Sequence, residues 1–127
     1  MKAGDVFLLS NMNGDTCLTV VLTDPNAEKN VYTARIEPLN SCWEMLCVLE
    51  PEDHPALDCT SVVVYEQVRI ISCDRLVKYK QNDPARYYSF SEELMKRVYA
   101  GAQLSAKMSK RARKVLIGQC KIKETKQ

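Results

Sequence analysis

The sequence predicts a small, mainly β domain, an antiparallel barrel or rolled sheet, followed by two α-helices. Three observations carry that reading. Short runs of β-branched and aromatic residues alternate with turn chemistry over the first 80 positions. No helical repeat separates those runs, so no crossover helix is available and a parallel α/β design is excluded. After residue 80 the pattern changes to apolar residues at helical spacing behind capping residues. With 127 residues the chain is long enough for one domain and an appendage, divided as a barrel over 1–80 and a basic helical extension over 81–127.

In chain order, GDVFLL at 4–9 is the first strand, and NMNGD at 11–15 is turn chemistry around Asn-Gly. LTVVLT at 18–23 is a second strand, short and apolar enough to be central. DPNAEKN at 24–30 is another turn, opened by Asp-Pro. The run VYTARIEPL at 31–39 alternates, with Val31, Thr33, Arg35 and Glu37 on one face and Tyr32, Ala34 and Ile36 on the other. From Asn40 to Thr60 the chain becomes irregular; CVLEP reads as a short edge strand ended by Pro51, and EDHPALD reads as loop. The stretch SVVVYEQVRIISCDRL at 61–76 is the strongest strand former, with Gln67 and Arg69 on alternate positions of one face.

In the extension, Asn82, Asp83, Ser89 and Ser91 are candidate caps, and Ser89 with Glu92 has capping-box spacing. Leu94, Val98 and Ala102 form the apolar stripe of the helix, and Gly101 reads as its stop. A second helix is expected over about 105–117, burying Leu104, Met108, Ala112 and Val115 and turning Lys107, Lys110, Arg111 and Lys114 away. Gly118 ends it and the last residues fray.

Charge is divided unevenly. Residues 1–80 hold seven basic and twelve acidic side chains, a net −5, and residues 81–127 hold eleven and four, a net +7. Such a tail can meet nucleic acid, an acidic partner or the acidic part of its own chain. No segment approaches the roughly 20 apolar residues of a membrane span. MKAGDVFLLS carries Asp5 and too short an apolar run for a signal peptide. A soluble, cytoplasmic protein with reduced thiols is expected, with no membrane contact.

Several constellations bear chemistry. Gln67 and Arg69 offer an amide and a guanidinium to a phosphate or carboxylate, or are the wet side of a half-exposed strand. Arg35 and Glu37 can serve as a charge stabiliser beside a general base, as phosphodiester cleavage needs, or as a surface ion pair. His54, the single histidine, is a candidate acid or base in an acidic loop, or a turn-stabilising residue. Trp43 is a stacking platform or a core anchor. Cys42, Cys47, His54 and Cys59 form a C-x4-C-x6-H-x4-C series, but it lacks the C-x2-C knuckle of zinc sites, so small thiols are expected and no cofactor is assigned. Walker loops, dinucleotide fingerprints, nucleophile elbows and zinc-protease helices are absent from the sequence.

GDVFLL, LTVVLTDP and above all SVVVYEQVRIISCDRL resemble the MazF/PemK (Kid-like) toxin superfamily, of which the chain reads as a divergent member. The resemblance spans about the first 80 residues and rests on Val63, Gln67, Arg69 and Arg75. It implies an SH3-like barrel, a homodimer, an antitoxin protein as partner, and metal-independent cleavage of single-stranded RNA by attack of the 2′-hydroxyl on the adjacent phosphate. Arg69 matches the family's arginine after Gln and would stabilise the phosphorane. Three positions depart from the pattern. Cys17 and Leu18 stand where the family has Arg-Pro, Glu37 stands for the Ser/Thr that closes the third strand, and Ser72 stands for an Asp. Two functions follow. One is an mRNA-interferase-type endoribonuclease using Arg69 and Arg35 on the phosphate with Glu37 or His54 moving protons. The other is a catalytically inactive barrel that binds RNA or a protein partner.

Overall fold

The computed structural model of the chain describes residues 1–10, 15–40 and 42–124. Six strands make one curled, half-barrel sheet: β1 (Asp5–Ser10), β2 (Thr16–Val21), β3 (Asn30–Pro38), β4 (Val48–Leu49), β5 (Ser61–Ser72) and β6 (Tyr87–Ser89). Their order is β4-β5-β3-β2-β1-β6, with every pairing antiparallel. The first three strands and the short edge strand before Pro51 follow the sequence reading. Most of the Asn-Gly turn lies outside the described residues.

Among the described residues three α-helices accompany the sheet: α1 (Cys73–Asn82), α2 (Glu92–Leu104) and α3 (Lys110–Gly118). Helix α1 corrects the expectation that nothing before residue 80 is helical. The Ser72 hydroxyl accepts from the Arg75 amide, so the strand ends on an N-cap, and Cys73 and Leu76 then share a buried face three residues apart. Tyr87–Ser89, expected at the start of a helix, is instead the sixth strand, paired with Asp5, Val6 and Phe7. The cap of α2 is Ser91, whose hydroxyl accepts from Leu94 N at 3.1 Å, so the Ser89–Glu92 capping box does not form.

Gly101 does not stop α2. It sits inside the helix because Tyr65 of β5 packs against its bare Cα face, where a Cβ would stand 2.4 Å from the tyrosine oxygen. Leu104, expected to be buried, ends the helix 70 % exposed. Helix α3 starts later than expected, capped by Ser109, and buries Ala112 and Leu116, with Val115 only partly covered. Its Lys110, Arg111 and Lys114 are exposed.

The sheet carries a core on each face. Val6, Val20, Tyr32, Ala34, Ile36, Val63 and Tyr65 pack against the buried faces of α2 and α3, and form the larger one. Phe7, Val21 and Val31 meet Cys73 and Leu76 of α1 and form the smaller. The alternation read in β3 thus has core on both sides at its Val31 end, and Arg35 and Glu37 on the second face further along.

One irregularity positions the site. Thr33 pairs with Arg69 and Arg35 pairs with Val64, so two steps along β3 match five along β5. The extra residues bulge out of the ladder and change which side chains of β5 face which way. Tyr65 enters the large core while Gln67 and Arg69 emerge on the other face beside Arg35. Among the described residues no helix is long and apolar enough to cross a membrane.

Candidate functional site

The face of the sheet that carries Arg35 has a cleft of about 130 Å³. Its floor is laid by alternate residues of the three central strands: Cys17 and Thr19 of β2, Thr33 and Arg35 of β3, Gln67 and Arg69 of β5. Arg75, from the first turn of α1, closes one end. The cleft exists because α1 covers only the Val31 end of this face.

Arg35 is the centre of the polar network. One terminal nitrogen lies 3.1 Å from Glu37 Oε1, and the other donates to the side-chain oxygen of Gln67. Glu37 and Arg35 are roughly three-quarters buried, at 25 % and 21 % side-chain exposure, so their pairing is screened less than a surface pair. The Nε of Arg35 is buried with no hydrogen-bond partner. Guanidinium donors left unpaired in this way are costly, and an entering anion oxygen would satisfy this one.

Arg69 and Arg75 are exposed, and among the described residues no carboxylate lies within ion-pair distance of either. Three guanidinium groups against one carboxylate make the cleft net positive, with the fork geometry that matches phosphate oxygens. The thiol of Cys17 is pushed up by burial and further by Glu37, against the opposing pull of Arg35, a hydrogen bond with Thr19, and Arg69. It is therefore held as a neutral thiol at neutral pH.

Of the sequence candidates, Arg35 and Arg69 line the cleft, Glu37 is ion-paired to Arg35 beside it, and His54 lies elsewhere. Its Nε2 lies 2.9 Å from the Ser89 carbonyl, and its Nδ1 accepts from the Ala56 amide at 3.0 Å. Those partners place the proton on Nε2 and occupy both nitrogens. The ring meets Phe90 and Tyr88 edge-on. His54 pins the 54–60 loop to β6, away from the arginine cleft. Trp43 is half-buried and lines no part of the cleft.

The six cysteines are free, and Cys47 is buried with its thiol pushed up mainly by burial. Among the described residues no three His, Cys, Asp or Glu side chains stand close enough to hold a metal ion.

No family model matches the chain, and it matches no curated protein. The assignment of chemistry therefore rests on the cleft itself. Sequence reasoning did not assign Thr19, Thr33 or Cys17 to the site. Thr19 and Thr33 were readable as alternate positions on strands already identified, but nothing local said that β2 lies beside β3 with Thr19 opposite Arg35.

Proposed function

We propose that the protein acts on single-stranded RNA at this cleft, as a metal-independent endoribonuclease of the MazF/PemK type built on an SH3-like barrel. The observation that carries the reading is the convergence of Arg35, Glu37, Gln67 and Arg69 on one sheet face, with Arg75 at its end. Arg69 and Arg75 take non-bridging oxygens of the scissile phosphate, and the unpaired Nε of Arg35 supplies a further donor from below. The Glu37 carboxylate removes the proton of the ribose 2′-hydroxyl as that oxygen attacks phosphorus. The phosphorane charge falls on the arginines. The 5′-oxygen then leaves, taking a proton from water at the open side of the cleft, and a 2′,3′-cyclic phosphate remains.

A second reading, an RNA- or protein-binding module without catalysis, is favoured by one observation. Arg35 is already engaged by Glu37 and Gln67, Glu37 stands beside the cleft rather than in its lining, and with His54 elsewhere the described lining holds no carboxylate and no histidine. Purified protein incubated in chelator with mixed-sequence single-stranded RNA separates the two. Cleavage to cyclic-phosphate ends, reduced at least about 100-fold in Arg69→Ala, is expected for the nuclease. RNA binding without cleavage, weakened by the same substitution, would install the binding module. No binding at all would remove RNA from both readings.

A further inference from the structure

A second cavity, of about 360 Å³, opens where β1, β2 and β3 end and the 54–60 loop crosses them. It adjoins the arginine cleft: Cys17 lines both, and Glu37, the ion-pair partner of Arg35, lines the second. Its walls differ from those of the cleft. Leu18, Ile36 and Leu57 supply apolar surface, of which Ile36 and Leu57 belong to the large core, and Thr16, Glu37 and Ser61 supply polar groups between them. Asp58 supplies a carboxylate at the rim, exposed and without a hydrogen-bond or ion-pair partner among the described residues.

Apolar side chains interleaved with hydrogen-bonding groups suit a nucleobase, as in sites that read unstacked RNA bases. Of the two carboxylates in the cavity Glu37 is held by Arg35, so that of Asp58 decides which base. It only accepts hydrogen bonds, and with two oxygens side by side it accepts them in pairs. Among the four RNA bases, guanine alone presents two adjacent donors, N1–H and the 2-amino group, on its pairing edge. Cytosine and adenine present one amino group next to an acceptor that a carboxylate repels, and uracil presents one N–H between two carbonyls. Glu37 stands two residues along β3 from Arg35, about 7 Å of extended strand, so a nucleotide with its phosphate in the cleft can turn its base around the strand ends.

We propose that this cavity is a guanine subsite, with Asp58 as the specificity-determining residue for the RNA acted on at the arginine cleft. The inference rests on the RNA reading of that cleft, and the experiment separates the two. Equilibrium binding is measured by fluorescence anisotropy for three short single-stranded RNAs identical except at one position, holding guanine, inosine or adenine, with wild type, Asp58→Ala and Arg69→Ala.

Wild type is expected to bind the guanine RNA about tenfold more tightly than either analogue. Inosine keeps N1–H and lacks the 2-amino group, so it reports the second donor. Asp58→Ala is expected to erase the preference, with the adenine RNA bound at least as tightly as by wild type, and Arg69→Ala to weaken all three RNAs alike. Loss of affinity in Arg69→Ala with no guanine preference in wild type, or a preference that survives Asp58→Ala, overturns the subsite and leaves the cleft reading standing. RNA binding that is absent, or indifferent to Arg69→Ala, overturns both. Asp58 is a surface loop residue, so far-ultraviolet circular dichroism of Asp58→Ala is expected to match wild type.

Discussion

Replacing Gly101 by alanine tests the packing that sets β5 against α2. The new Cβ would lie 2.4 Å from the Tyr65 hydroxyl oxygen and 3.0 Å from both Tyr65 Cζ and Cys47 Cβ. Tyr65 is fully buried, and its hydroxyl donates to the Val98 carbonyl at 2.5 Å, so the ring cannot retreat and keep that bond. Burial pushes the hydroxyl far above its ordinary range, so it is a donor at any working pH. Overpacking of this kind costs ~1–3 kcal/mol, and a buried hydroxyl forced off its acceptor costs a further ~1–3 kcal/mol. The better helix propensity of alanine returns ~1 kcal/mol. Gly101→Ala is therefore expected to lose ~1–5 kcal/mol in urea unfolding. Tyr65→Phe removes the nearest atom, so the double variant is expected to be at least ~1 kcal/mol more stable than the two losses added together. A neutral or stabilising Gly101→Ala, or strict additivity of the pair, would refute the packing argument.

Two further outcomes concern the site. Because burial and Glu37 raise the Cys17 thiol, its alkylation by iodoacetamide at pH 8, followed residue by residue by mass spectrometry, should run slower than that of exposed Cys42 or Cys120. Glu37→Gln should speed it by removing a group that disfavours the thiolate, and Arg69→Ala should slow it; the opposite signs would mean that these charges do not face the thiol. His54→Ala should cost ~1–2 kcal/mol by stripping the Ser89 carbonyl and Ala56 amide of their partner, and leave RNA cleavage per folded molecule unchanged. A large fall in cleavage with stability intact would return His54 to the chemistry.

Half of the site could be read before any fold was known. Strand pitch alone puts Arg35 and Glu37 on one face of β3, and Gln67 and Arg69 on one face of β5. That alternation is a property of the extended backbone and needs no distant partner. For His54 the Ala56 amide is a local partner two residues away, but Ser89 becomes the partner of its other nitrogen only when β6 closes on β1, and nothing near His54 in the chain signals that. Helix α1 was legible in principle from Ser72 before Cys73 and Leu76, but the apolar run leading into it reads as uninterrupted strand.

The sequence by itself determined the first five strands, the antiparallel class, the apolar stripe of α2, and the shared strand face of each arginine and a polar neighbour. Those features depend on contacts within a few residues, where side-chain periodicity and capping act directly. Tertiary structure decided that the two pairs meet. The offset of five residues on β5 against two on β3 turns Tyr65 into the core and brings Gln67 to Arg35, 32 positions away in the chain. Register across a bulge is settled by which large side chain can be buried, and Tyr65, wedged against Gly101 of a helix formed much later in the chain, is the residue that settles it.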